Sequence, residues 1–152
     1  LGLATGFPRD VVTTDPVTGE TTIEADVREL PEPERFFAGG DTTVRGFTLD
    51  TLGRPDTLST AGFPLGGNAE TIFNAELRLP VRGGFGIVGF LDTGNVFKRV
   101  VDISLTELRS AAGVGLRYKS PVGPIRVDLG FKLKREPGES LTAWFISFGQ
   151  AF

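Results

Sequence analysis

The sequence predicts an all-β fold, with an antiparallel transmembrane β-barrel favoured over a soluble β-sandwich. Three observations point there. Five runs after residue 70 alternate apolar and polar side chains with period two over about nine or ten positions, the length of a tilted membrane strand. The connections between these runs are by turns short and long, as expected when one rim of a barrel carries tight turns and the other carries loops. The face opposite the apolar one mixes glycine with isolated charges of both signs. That suits a crowded, wet lumen, whereas the outer face of a sandwich would be richer in Lys, Glu and Thr.

Taken in order, residues 1–7 (Leu-Gly-Leu-Ala-Thr-Gly-Phe) read as the tail of a strand entered midway, so a piece of a longer chain is expected. They carry no initiator Met and no basic leader segment. Residues 8–50 hold ten acidic and four basic residues, a net of -6, against nine acidic and twelve basic in the remainder. With Asp15-Pro16, Pro31, Pro33 and Gly39-Gly40, this stretch reads as a long loop, with residues 21–27 able to form a hairpin arm. In residues 71–79, Phe73, Ala75, Leu77 and Leu79 oppose Asn74, Glu76 and Arg78. In 85–92, Phe85, Ile87 and Leu91 oppose Val88, Phe90 and Asp92. Residues 112–118 set Val114, Leu116 and Tyr118 against Gly113, Gly115 and Arg117. Residues 125–133 set Ile125, Val127, Leu129, Phe131 and Leu133 against Arg126, Asp128, Gly130 and Lys132. In 143–152, Trp144, Ile146, Phe148 and Phe152 oppose Phe145, Ser147, Gly149 and Ala151. Segments 80–84 and 120–124 are the short connections; 98–110 and 134–142 are the long ones.

Composition narrows the chemistry. The chain of 152 residues has no cysteine and no histidine, which removes disulfides, thiolate or imidazole metal sites and Ser-His or Cys-His catalysis. A net charge of -3 gives no case for nucleic acid. No run approaches the 18 or so apolar residues of a membrane helix. Glu24, Asp26, Glu29, Glu32 and Glu34 lack the spacing of a calcium loop and read as a solvated acidic segment. No metal or cofactor is expected, and the chain is not expected to be an enzyme.

Several segments together resemble one family. Residues 35–47 run Arg-Phe-Phe-Ala-Gly-Gly-Asp-Thr-Thr-Val-Arg-Gly-Phe. They are followed by Gly66-Gly67-Asn68-Ala69 and the strand with Glu76, by Phe90-Leu91-Asp92-Thr93-Gly94, by Ser120-Pro121-Val122-Gly123-Pro124-Ile125-Arg126, and by a closing Phe148-Gly149-Gln150-Ala151-Phe152. In order and spacing these resemble the C-terminal part of the BamA/TamA superfamily of outer-membrane assembly and translocation barrels. The resemblance covers nearly the whole chain. It implies about five strands of a barrel of about 16, preceded elsewhere by POTRA domains. It divides the chain into a strand end (1–7), a long extracellular loop folding into the lumen (8–67) and four C-terminal transmembrane strands (68–152).

The same resemblance implies roles for particular residues. Val44, Arg45, Gly46 and Phe47 would anchor the loop, with Arg45 paired to Glu76 and Asp92 inside the lumen. Guanidinium suits this, since its planar fork of donors can serve two carboxylates. Such an arginine would also keep both acids ionised, which argues against proton-donating catalysis. Phe90 and Gly94 mark the strand motif, and Trp144, Ile146, Phe148 and Phe152 an assembly signal that also faces lipid. The implied function is insertion and folding of barrel proteins into the bacterial outer membrane through a lateral seam. The partners would be outer-membrane lipid, nascent barrel proteins, the remaining strands and POTRA domains of the parent, and assembly lipoproteins. Two other functions stay open: polypeptide translocation as in two-partner secretion, and a membrane anchor for a fused domain.

Overall fold

The computed structural model describes residues 1–6, 9–14, 18–19, 21–27 and 30–149; within 9–14 and 21–27, side chains are described at Val12, Thr14 and 21–23. Among the described residues eight strands form: β1 (Gly2–Leu3), β2 (Arg9–Thr14), β3 (Thr21–Val27), β4 (Ala69–Pro80), β5 (Phe85–Phe97), β6 (Arg109–Ser120), β7 (Gly123–Lys132) and β8 (Thr142–Phe148). β4 to β8 make an antiparallel meander, and β1 pairs with the free edge of β4 to give the order β1-β4-β5-β6-β7-β8. β2 and β3 form a separate hairpin, which gives residues 21–27 their partner. Among the described residues, 68–149 therefore hold five strands. The division into segments allowed four, one fewer than the alternation itself contains.

The turns explain why the strands end where they do. β4 and β5 are joined by a single helical turn, Arg82–Gly84, in which Gly83 (φ 78°) and Gly84 (φ 81°) occupy left-handed conformations that a side chain would strain. β6 and β7 meet across a two-residue turn, with Ser120 paired to Gly123. The opposite rim carries the long connections 98–108 and 133–141. β5 runs five residues beyond Asp92, because Thr93–Phe97 continue the ladder against Ala69–Phe73. The apolar alternation fades there, but the backbone pairing does not.

Register assigns every side chain to a face, since directly opposed residues of paired strands share one. One row reads Leu77, Gly89, Val114, Leu129, Trp144. Another, at the rim with the short turns, reads Phe85, Tyr118, Ile125, Phe148, and there the Phe85 and Tyr118 rings stack at 4.4 Å. This face is exposed: Leu77 is 65%, Ile146 64% and Trp144 67% accessible. The other face carries charge, and Asp92, Arg109, Asp128 and Lys132 on it are at or below 9% accessibility. Apolar side chains outside and charges inside invert the arrangement of a water-soluble protein. They match a sheet whose outer face meets lipid.

The inner face is covered by residues 30–68. This segment is pinned by isolated bridges Phe36 to Gly67, Ala38 to Leu52 and Leu58 to Pro64. Ala38, Val44, Phe47 and Leu52 pack with Val96 of β5 and Ala111 of β6 into the apolar core. The core thus lies between loop and sheet rather than between two sheets. Replacing Val114, in the middle of the outward band, by Arg should destabilise the parent barrel by about 2–4 kcal/mol. Equilibrium unfolding in lipid vesicles measures this; a neutral effect would show that the face does not meet hydrocarbon.

Candidate functional site

The chain turns sharply at Val44–Phe47, where the amides of Gly46 and Phe47 both donate to the Val44 carbonyl, at 3.0 and 3.3 Å. The turn drives Val44 and Phe47 into the core and leaves Arg45 between them against the strands. Arg45 donates its backbone N–H (3.0 Å) and Nε (2.7 Å) to one oxygen of Asp92, and Nη2 (2.9 Å) to the other. Its Nη1 reaches Glu76 at 2.5 Å. The guanidinium lies over the Phe90 ring, 3.8 Å from its centre. The structure thus brings Arg45, Glu76, Phe90 and Asp92 together.

Asp92 is fully buried, so its charge requires full satisfaction. Asn74 supplies a further donor to it at 2.8 Å and a second hydrogen bond, at 2.6 Å, to the Thr43 carbonyl. Glu76 also accepts from Arg78 at 2.6 Å. Chemically the group is a saturated ion-pair cluster. Each carboxylate is occupied by fixed cations, which suits holding rather than proton transfer.

Small residues make the space. A Cβ on Gly130 of β7 would collide with the Arg45 carbonyl, and one on Gly46 would collide with Ala111 of β6. A Cβ on Gly113 would strike the Phe90 ring that lies under the guanidinium. Gly94 lets Val44 approach, since a Cβ there would sit 3.2 Å from the Val44 methyl and 2.6 Å from the Thr71 carbonyl. The loop therefore occupies a trough cut across β5, β6 and β7 by missing side chains.

Two further clusters lie outside the candidate sites expected from the sequence. Asp128, 1% exposed, accepts from Arg117 (2.7 Å) and Arg126 (3.0 Å). A Cβ on facing Gly115 would collide with its carboxylate. The available signal was opposite charge on neighbouring inward positions across from a glycine. Nearer the long-loop rim, Phe47 has two cations over its ring, Arg109 at 4.6 Å and Lys132 at 4.8 Å. Arg109 grips Glu139 through both nitrogens, at 2.8 and 2.5 Å. Trp144, Ile146 and Phe148 stand on the outer face of β8, away from these clusters. Phe152 lies outside the described residues.

A meander with a lipid-facing exterior, a charged interior and a loop docked onto its inner wall defines part of a transmembrane β-barrel with an inward-folded loop. The chain belongs to the Omp85 superfamily, whose domain model matches residues 9–152. That membership places it in the outer membrane and agrees with the resemblance seen in the sequence. It is 28% identical to the outer membrane protein assembly factor BamA of Neisseria meningitidis serogroup B, over 82% of this chain and 19% of that protein. It is 29% identical to the BamA of Nitratidesulfovibrio vulgaris, over 88% of this chain and 17% of that one. The chain thus spans less than a fifth of the length of these relatives. Its fold is similar to crystalline BamA from Haemophilus ducreyi lacking POTRA domains 1–3, with a TM-score of 0.57 and 20% identity over 84% of this chain and 30% of that chain.

Arg45→Ala should destabilise loop docking by up to about 3–5 kcal/mol, because it strands the buried Asp92 carboxylate and leaves the partly accessible Glu76 beside it, and Arg45→Lys should recover part of it. A double-mutant cycle with Asp92→Ala in the parent barrel, read by equilibrium unfolding, checks the pairing. Coupling below about 0.5 kcal/mol would show no interaction. The loop at Glu139 offers a pH test. Burial pushes its carboxyl up, but hydrogen bonds from Arg109 and the Glu136 amide outweigh this and hold it below the usual glutamate range. The stability contributed by a depressed pKa is fully present above the ordinary value of about 4.3 and is lost as pH falls through the folded value. Stability should therefore drop in acid less steeply in Glu139→Gln than in the unaltered protein; parallel acid limbs would remove the contribution.

Proposed function

We propose that this chain is the C-terminal part of a barrel that inserts and folds other β-barrel proteins into the outer membrane. The observation that carries the reading is the docking of Val44-Arg45-Gly46-Phe47 onto Glu76 and Asp92. Likeness to two assembly factors over more than four-fifths of the chain supports it. The action is non-covalent. Among the described residues β8 is paired only with β7, so its other edge offers backbone donors and acceptors to an incoming strand. A nascent strand that adds there enters lipid with its polar backbone groups satisfied. Arg45 braces the loop so that the wall beside this seam keeps its shape.

In this reading the partners are outer-membrane lipid, nascent barrel proteins, the other strands and POTRA domains of the parent, and assembly lipoproteins. The apolar and aromatic pattern Trp144, Ile146, Phe148 and Phe152 serves as the signal by which the parent itself is assembled.

The test is reconstitution of the full-length parent in lipid vesicles with an unfolded outer-membrane barrel as client, followed by the mobility shift of the folded client in gels. The parent should accelerate client folding over empty vesicles. Arg45→Ala should slow it about tenfold, equivalent to ~1.4 kcal/mol of the docking energy. A parent that leaves the client's folding rate unchanged would refute the assembly reading.

A further inference from the structure

The inward-folded segment makes a second attachment, apart from the Arg45 cluster. Asp41 accepts the hydroxyl hydrogen of Ser147, on the inner face of β8, at 2.5 Å between oxygens. The Asp41 carbonyl accepts from Nη2 of Arg126, on β7, at 3.3 Å. Arg126 and Ser147 face each other directly in the β7–β8 register, so both contacts arrive from one row. Arg126 is itself fixed by Asp128, which Arg117 of β6 also holds. Asp41 thus sits on a continuous polar chain that runs from β6 through β7 to β8. A carboxylate accepting from a hydroxyl makes a short, charge-assisted bond. In a partly buried place such a bond is worth more than in water.

The mechanical position is what matters. β4 and β5 hold the loop through Asp92, Glu76 and Asn74; β5 is paired on both sides, and β4 is paired with β5 along its length and with β1 at Ala69 and Glu70. β8 has a single neighbour among the described residues. The backbone ladder to β7 and the Asp41–Ser147 bond act together on it.

We propose that Asp41 is a positioning residue that tethers β8 to the loop, so that β8 swings from the wall only when the Asp41–Ser147 bond breaks. The proposal rests on the assembly reading for its functional meaning, since opening at β8 is the step it restrains. The tether itself is a matter of structure and is tested separately.

Hydrogen exchange is measured on the full-length parent in lipid. Asp41→Ala and Ser147→Ala should each speed exchange of the β8 amides about tenfold, the effect of losing one charge-assisted hydrogen bond. β4 and β5 amides should be unaffected, and the double variant should exchange no faster than either single one. Asp41→Asn, whose amide oxygen still accepts, should fall between. In the second arm Asp41→Cys and Ser147→Cys are combined in a parent freed of other cysteines and joined with a short thiol-bridging reagent. The bridged protein should fold client more slowly than the unbridged one. Unchanged β8 exchange, an equal rise in every strand, or additive single effects would overturn the tether. So would full client folding by the bridged protein. If the unaltered parent does not accelerate client folding at all, the assembly reading fails, and the exchange results alone judge the tether.

Discussion

The seating of the loop at its Arg45 turn depends on the satisfaction of one buried carboxylate. Asp92 receives the backbone N–H, Nε and Nη2 of Arg45 and the amide of Asn74. Remove these donors and a charge is left without water or partner, a state that folded proteins avoid. The bond from the Arg45 backbone is as important as those from its side chain. It fixes the main chain at the turn, and the turn places Val44 and Phe47 in the core. Polar and apolar anchoring are thus one event: the ion pair sets where the loop stops, and the apolar flanks remove water from the pair.

The outer and inner faces solve opposite problems with the same strands. Outside, the sheet offers lipid a surface of Leu, Val, Ile and aromatic side chains, and the backbone is satisfied within the ladder. Inside, the sheet must admit a polypeptide segment at van der Waals distance. Glycine and alanine at 94, 111, 113 and 130 provide the room. Their role is subtraction. Larger residues at these places would keep the strands but expel the loop.

How far the sequence discloses this differs by feature. Strand positions and faces are legible, because period-two alternation is dictated by the pleat and one face must suit lipid. The far half of β5 is not, since Thr93, Gly94 and Asn95 have no apolar rhythm and are held by pairing with β4. The Arg45 partners are reachable only through resemblance, because residues 31 and 47 positions apart are joined by tertiary folding. Asp128 with Arg117 and Arg126 was visible as lumen-facing charge but not as a site, since opposite charges on one face are common. The trough is invisible in the sequence: a glycine in a strand announces a close approach without naming what approaches.

The separations along the chain have a consequence for how the molecule forms. Asp92 lies 47 residues beyond Arg45, and Ser147 lies 106 beyond Asp41. Contacts of such range repay the entropy of loop closure only after long stretches are ordered. The trough that receives Arg45 is lined by Gly130 of β7, and Gly113 of β6 admits the Phe90 ring beneath the guanidinium, so it is complete only once β6 and β7 have joined β5. The loop is written early in the chain and seated late.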